Sequence, residues 1–450
     1  MFKIDIPPCA RYIIRLLEIS GHEAYAVGGC VRDSLLGKQP HDWDICTSAR
    51  PGEVLALMAA NGIKTIETGL QHGTVTACYG VGQYEITTFR VEDEYSDNRR
   101  PDHVWFVGDV VEDLARRDFT INAMAYSESS GLVDPWNGRS DLVNGIVHCV
   151  RNPDDRFRED ALRIMRALRF AATYGFKIEE KTAAAIHRNK HLLKNIAAER
   201  IQSELTKMLC GKGVLDILLE YKDVMAVIIP ELEPCIGFDQ NNPYHIYDVY
   251  DHIAHAVADY RGTDISIKMA LLLHDIGKPE CYIEDDYGIG HFYHHSVASH
   301  RIAGDVMTRL RFDSKTTNDV LNLVLYHDAD IQPNFRSVRR WLSKIGVERF
   351  EKLIWVRIAD IYAHSKRNQI PKIDKCYMIF ETIEAVIEQE QCFTLKDLAI
   401  SGHYILSLGV EEGPRVGKVL NYLLDQVLDG VIENTHDALV EEAKRYLKGD

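Results

Sequence analysis

Asn152-Pro153 divides this chain into two kinds of sequence. Before it, short runs rich in β-branched and aromatic residues alternate with glycine turns: AYAVGG, DWDICT, GTVTACYG, QYEITTFRV and GLVDPW. One helical pattern, PGEVLALMAANG, falls among them. That mixture predicts a small α/β part. After the Asn-Pro step nearly everything repeats with a helical period, broken by Gly, Pro and Asn. EDALRIMRALRFAATYGF predicts one long helix ending at Gly175, and AAERIQSELTKMLCGKG predicts another. The fold class is therefore α+β. A mixed α/β head at 1–150 precedes a helical neck at 151–215 and further helical regions at 216–335 and 336–450. A chain of 450 residues also exceeds what one hydrophobic core supports.

No run of eighteen apolar residues exists, so no segment reads as a membrane-spanning helix. MFKIDIPPCARYIIRLLE lacks the layout of a signal peptide. Ten cysteines are scattered without a CxxC pair, the pattern of reduced thiols, so the expected location is cytoplasmic. A net charge of −15 argues against nucleic-acid affinity along the whole chain. Charge is uneven, however. Residues 151–213 carry fourteen Lys and Arg against eight Asp and Glu, and residues 336–375 carry eleven against four. Two basic islands in an acidic chain suggest a bounded polyanion site.

VGGCVRDSLLGKQPHDWDICTS, residues 27–48, holds the first chemistry. In a strand, residues i and i+2 share a face about 6–7 Å apart, which points Asp42 and Asp44 the same way. Convergent carboxylates suit Mg²⁺, which takes few protein ligands and otherwise substrate phosphates. Gly28-Gly29 lets the backbone approach a phosphate. VRDSLLG reads as a helix start, whose free N–H groups favour an anion, and Arg32 adds positive charge. Together these parts make a triphosphate-and-magnesium site for phosphoryl or nucleotidyl transfer. An isolated DxD fits a surface turn equally well.

GGCVRD with DWD, EITTFRVEDEYSDNRRPD, RRDFTINAMAY, DPWNGRSDL, EDALRIMRALRF and AAERIQSELTKML follow in order over about residues 25–210. In that order they resemble the class II tRNA nucleotidyltransferase family, the CCA-adding enzymes and their bacterial poly(A) polymerase relatives. The resemblance implies that Asp42 and Asp44 hold two Mg²⁺ ions. It implies that Gly29 and Arg32 contact the nucleotide, that Arg117 binds the triphosphate, and that Asp160, Arg163, Arg166 and Arg169 line the nucleotide pocket. Glu85 falls where polymerases of this superfamily keep a third carboxylate; a strand-edge acid is an equal reading of it. EDEYSDNRRPD, 92–102, resembles the flexible loop that helps CCA-adding members switch from cytosine to adenine addition. The implied reaction is stepwise addition of CMP, CMP and AMP to a tRNA 3′ end from CTP and ATP. The alternative within the family is a poly(A) polymerase or an A-adding enzyme.

Asp160 and Arg163 carry an argument of their own. Three apart on the expected helix, they share a face. A carboxylate only accepts hydrogen bonds and a guanidinium only donates. Cytosine and adenine offer an amine donor beside a ring acceptor and fit this pair. Uracil and guanine reverse that polarity and are rejected, on the order of 10⁴-fold in a dry pocket. Arginine then recurs at 163, 166 and 169, and like charges on one face are costly unless an anion sits against them.

Between 245 and 330, HIYDVYDHIAHAV, LLLHDIGKP, FYHHSVASH and VLYHDAD resemble the HD phosphohydrolase family. The motif implies His252, His274, Asp275 and Asp328 as metal ligands, with His295 and His327 completing a second site. Imidazole combined with carboxylate admits transition metals. A metal-dependent phosphohydrolase acting on RNA or nucleotides is therefore the different-class alternative for the whole chain. In the C-terminal third, RSVRRWLSKIGVERFEKL is the RNA-contact candidate. Expected partners are tRNA, CTP and ATP, with no membrane; oligomeric state is not legible.

Overall fold

The N-terminal sequence builds a seven-stranded sheet in the order β3-β4-β5-β2-β1-β8-β9. Its strands are β1 (Ala24–Val27), β2 (Ile45–Thr47), β3 (Lys64–Ile66), β4 (Thr74–Tyr79), β5 (Gly82–Thr88), β8 (Ala125–Ser127) and β9 (Gly131–Val133). Between them, β6 (Arg90–Asp93) and β7 (His103–Phe106) pair separately. The computed structural model describes residues 3–67, 69–93, 103–366, 369–389 and 393–449. Residues 94–102, most of the expected switching loop, lie outside them.

Central strands β1 and β2 are buried along their whole length, which explains their continuous apolar runs. β2 lies parallel to β5, with Ile45 opposite Ile86. Carried one residue back, to the residue just before β2, that register sets Asp44 beside Glu85. Tyr25, Val27, Cys46, Phe89, Leu114 and Val150 form a core on this sheet. Around it run α1 (Pro8–Ile19), α2 (Gly29–Leu35), α3 (Pro51–Ala60), α4 (Val110–Ala115) and α5 (Gly138–Asn144).

The single helix expected to begin near Glu159 is two helices. α6 (Pro153–Glu159) stops, Asp160 turns extended at φ −135° and ψ 102°, and α7 (Leu162–Tyr174) starts afresh. The cause is local. The Asp160 carboxylate accepts from Leu162 N at 3.0 Å, a side-chain bond that competes with helix continuation. α7 ends where expected, at Gly175 with φ +63°. α8 (Glu180–Asn189) and α9 (Ala198–Leu209) follow, and α9 packs on α7.

The chain divides into two compact units, Met1–Glu233 and Pro234–Asp450. The second is mostly helical. Helices Val249–Asp259, Ile265–Leu273, Ser314–Tyr326 and Val347–Ala363 pack together, and His295–Arg309 covers Ser314–Tyr326. Helices Pro414–Leu428 and His436–Gly449 share a further apolar cluster that includes Ile405, Val419, Leu423 and Leu439. A mixed α/β head followed by helices is the expected fold class. Among the described residues, no helix is long and apolar enough to cross a membrane.

Candidate functional site

In the first unit, Gly29, Arg32, Asp44, Arg117, Asp160, Arg163, Arg166 and Arg169 line one cavity of about 470 Å³. Eight of the ten residues expected at the nucleotide and metal site thus converge. Asp42 and Glu85 lie outside the lining, yet both act on Asp44. Protein crowding pushes the Asp44 carboxyl up, Glu85 and Asp42 add to that, and Arg117 opposes it. Asp42 and Asp44 precede β2 rather than lying in it. Alternation still holds, because Trp43 between them is buried while both acids are exposed.

Glycine is required at the turn before α2. Gly28 has φ +78°, and a Cβ there would lie 2.7 Å from Arg117 Nη1. The turn and the arginine therefore occupy one another's space. Arg32 is buried by its partners. It donates to Asn122 Oδ1 at 2.5 Å and to both Asp33 oxygens at 2.9 and 3.0 Å, and it lies over the Phe170 ring.

The arginine stripe has its anions inside the protein. Arg163 pairs with Glu159 at 2.6 Å, Arg166 with Asp118 at 2.5 Å, and Arg169 with Glu204 at 2.6 Å. The stability argument for an external anion thus falls away, because each positive charge meets a nearby carboxylate. Burial pushes the Asp118 carboxyl up, but Arg166, Asn122 and Arg163 outweigh it and bring it to about 2. Asp160 and Arg163 do not share a helix face. Asp160, in the break before α7, accepts from Arg200 Nη2 at 3.1 Å. Arg163 donates to Glu159 and to the carbonyls of Arg156 and Arg116. Arg116, Asp118 and Arg200 also line the cavity and escaped the sequence reading. Their signal was present, since Arg116 and Asp118 belong to RRDFT and Arg200 to AAER.

In the second unit His252, His274, Asp275, His295 and His327 converge. Asp275 Oδ2 lies 3.3 Å from the Nε2 atoms of His252 and His274. Its Oδ1 lies 3.3 Å from His295 Nε2 and 3.7 Å from His327 Nε2. The expected Asp328 lines the adjoining cavity but is not among the converging donors. Asp360 is, with Oδ1 2.9 Å from His252 Nε2. Nothing near Asp360 in the sequence resembles a ligand motif; helix packing brings it in. Nδ1 of His274, His295 and His327 each meets a main-chain carbonyl at 2.7–2.8 Å. A carbonyl only accepts, so these rings carry a proton on Nδ1 and aim Nε2 into the cluster.

Family models match three stretches: "Poly A polymerase head domain" at residues 24–148, "Probable RNA and SrmB- binding site of polymerase A" at 175–236, and a tRNA nucleotidyltransferase domain 2 at 294–443. A CCA-adding enzyme of Lactobacillus helveticus is 34% identical, with 100% of this chain and 99% of that protein covered. This chain belongs to the CCA-adding enzyme family. It is therefore a nucleotidyltransferase, and enzymes of this family use a divalent metal. A second family member, the CCA-adding enzyme of Lactobacillus delbrueckii subsp. bulgaricus, is 35% identical over 96% of each chain. Among solved structures, the Bacillus stearothermophilus CCA-adding enzyme in complex with CTP is 29% identical. It covers 99% of this chain and 100% of its own, with a TM-score of 0.73.

Proposed function

We propose that this CCA-adding family member adds CMP, CMP and AMP in turn to the tRNA 3′ end, using CTP and ATP. The observation that carries the reading is the single cavity where the Gly28-Gly29 turn, Asp44, the arginines and Asp160 meet. Asp42 and Asp44, flanked by Glu85, would hold Mg²⁺. The donor set fits: burial raises the Asp44 pKa, Glu85 and Asp42 add to it against Arg117, and a hard dication offsets that repulsion. Bound there, Mg²⁺ supplies Lewis-acid polarisation of the α-phosphate and the tRNA 3′-hydroxyl. Arg117 and Arg32 take the triphosphate. Asp160 accepts from the exocyclic amine of C or A, and Arg163 donates to the ring acceptor. A base thus competes with Glu159 for Arg163 and with Arg200 for Asp160. The neck at 151–215 supplies these base-reading groups to the head at 1–150. The 336–375 island serves tRNA backbone contact, and the setting is cytoplasmic.

The match to a poly A polymerase head favours a second reading, in which only AMP is added. Sequencing the product formed on a tRNA lacking its terminus, with each nucleotide alone and then together, separates the two. CCA at the end supports the proposal; an A-only product overturns it. Asp42→Ala or Asp44→Ala abolishes addition, by more than about 10³-fold, with tRNA affinity kept.

The second unit has its own proposed role, metal-dependent phosphohydrolysis at the His252, His274, Asp275, Asp360, His295 and His327 cluster. Imidazole Nε2 atoms on both sides of the Asp275 carboxylate, with Asp360, would hold transition-metal ions that supply Lewis-acid activation of a phosphate. Metal analysis and a phosphatase assay on purified protein test it.

A further inference from the structure

Asp113, on α4, takes no part in the lining of the nucleotide cavity. It is fully buried. Its carboxylate reaches two arginines that do line the cavity, Arg116 three residues on and Arg117 four residues on. Spacings of three and four bring side chains together on one side of a helical turn. One hidden acid thus stands behind two cavity arginines.

It holds them differently. Arg116 Nε donates to Asp113 Oδ1 at 2.9 Å, and the Arg90 main-chain N–H shares that oxygen at 3.3 Å. Oδ2 faces Arg117 Nη2 at 3.5 Å and has no hydrogen-bond partner among the described residues. Arg117 Nε is buried and unpartnered as well. Buried polar atoms left without partners call for an explanation. A charge pair without a hydrogen bond fixes where a guanidinium lies and leaves its N–H donors for a ligand. The Gly28 turn bounds the same group, since a Cβ there would lie 2.7 Å from Arg117 Nη1. Arg117 also acts on Asp44, opposing the rise in its pKa. Asp44 is therefore a rival acid for Arg117, and it is one of the two that Mg²⁺ would need.

We propose that Asp113 is a positioning residue for nucleotide addition, which aims Arg117 at the β- and γ-phosphates of CTP or ATP and holds it off Asp44. The carboxylate touches no substrate; it works through the arginine. Because it takes no hydrogen bond from Arg117, it sets the place of the guanidinium without spending the donors that a phosphate accepts. Without the Asp113 charge, Asp44 remains to attract the guanidinium. The inference rests on Arg117 binding the triphosphate.

The test separates the phosphates from the base. CMP incorporation into tRNA ending before CCA is inhibited with pyrophosphate and, separately, with CMP. Asp113→Asn keeps an oxygen for Arg116 and removes the charge. In the full-length variant, its fold checked by circular dichroism, pyrophosphate inhibits at least about tenfold more weakly and KM for CTP rises by a similar factor. Inhibition by CMP, which lacks those phosphates, stays within about twofold. Arg117→Ala gives the same loss, and adding Asp113→Asn to it costs nothing more, because the acid acts through the arginine. Asp113→Glu restores the charge and keeps pyrophosphate inhibition within about threefold, which answers the same question if the Asn variant does not fold. Three results overturn the role of Asp113 and leave that of Arg117 intact: equal losses for CMP and pyrophosphate, additive effects in the double variant, or a folded Glu variant that no longer responds to pyrophosphate. Unchanged pyrophosphate inhibition in Arg117→Ala overturns the triphosphate reading of Arg117 itself.

Discussion

Asp160 and Arg163 are separated by a break in the backbone, so their use as a base reader depends on who holds each one. Arg200 holds the Asp160 carboxylate and Glu159 holds Arg163. Replacing Asp160 by Asn and Arg163 by Ala removes the fixed polarity, because an amide offers either its oxygen or its NH₂. CTP-over-UTP preference is expected to fall at least 10²-fold while the rate also drops. The measurement is kcat/KM for all four nucleotides on tRNA ending before CCA. An unchanged preference in a merely slower enzyme places selection elsewhere. Asp118 supplies a second residue-scale outcome. Its folded pKa of about 2 lies below the unfolded value of about 3.9. A depressed carboxylate contributes stability that is present above the unfolded pKa and lost as pH falls through the folded one. About 2–3 kcal/mol is therefore lost between roughly pH 5 and pH 1. Asp118→Asn is less stable at neutral pH and has a flatter urea midpoint across that window. Parallel curves for both proteins would assign the acid sensitivity to other groups.

At the scale of elements, the β1–α2 turn ties fold to chemistry. Gly28→Ala must accept φ +78°, at about 1–2 kcal/mol, and must move Arg117 from 2.7 Å. The expected variant folds with a lowered Tm and binds CTP at least tenfold more weakly by calorimetry. CTP affinity equal to wild type would show that Arg117 does not touch the triphosphate. The basic helix Phe335–Ile345 teaches a different lesson. Trp341 packs edge-on against Tyr326 and stacks on Phe350 inside the protein. Arg336 and Arg340 both donate to Asp429. A basic run is legible in sequence; the acid that meets it across the fold is not.

At the scale of the molecule, the two sites belong to different compact units. His274→Ala with Asp275→Ala is expected to remove bound transition metal and any phosphatase activity. Nucleotide addition persists, because its carboxylates are in Met1–Glu233. Assaying both activities on one preparation, with circular dichroism unchanged, checks this. Loss of addition in the folded variant would mean that the two units work together.

The sequence by itself determined what local chemistry dictates. Period and glycine turns marked the α/β head and the helices after it, and Gly175 ended α7 as glycine at a left-handed cap must. Spaced motifs named Asp44, Arg117, Asp160, Arg163, His274 and Asp275, since each sits in a short segment whose residues act together. Tertiary structure decided the pairings between distant segments: Asp118 with Arg166, Glu204 with Arg169, Arg200 with Asp160, and Asp360 with His252. Spacing carries no trace of these, because nothing in a helix period states which other helix it will face. The structure alone also put Asp360, rather than Asp328, among the converging donors and left the Nδ1 atoms of His245 and His364 without hydrogen-bond partners. Those outcomes follow from burial and packing, which act on the folded chain and not on its order.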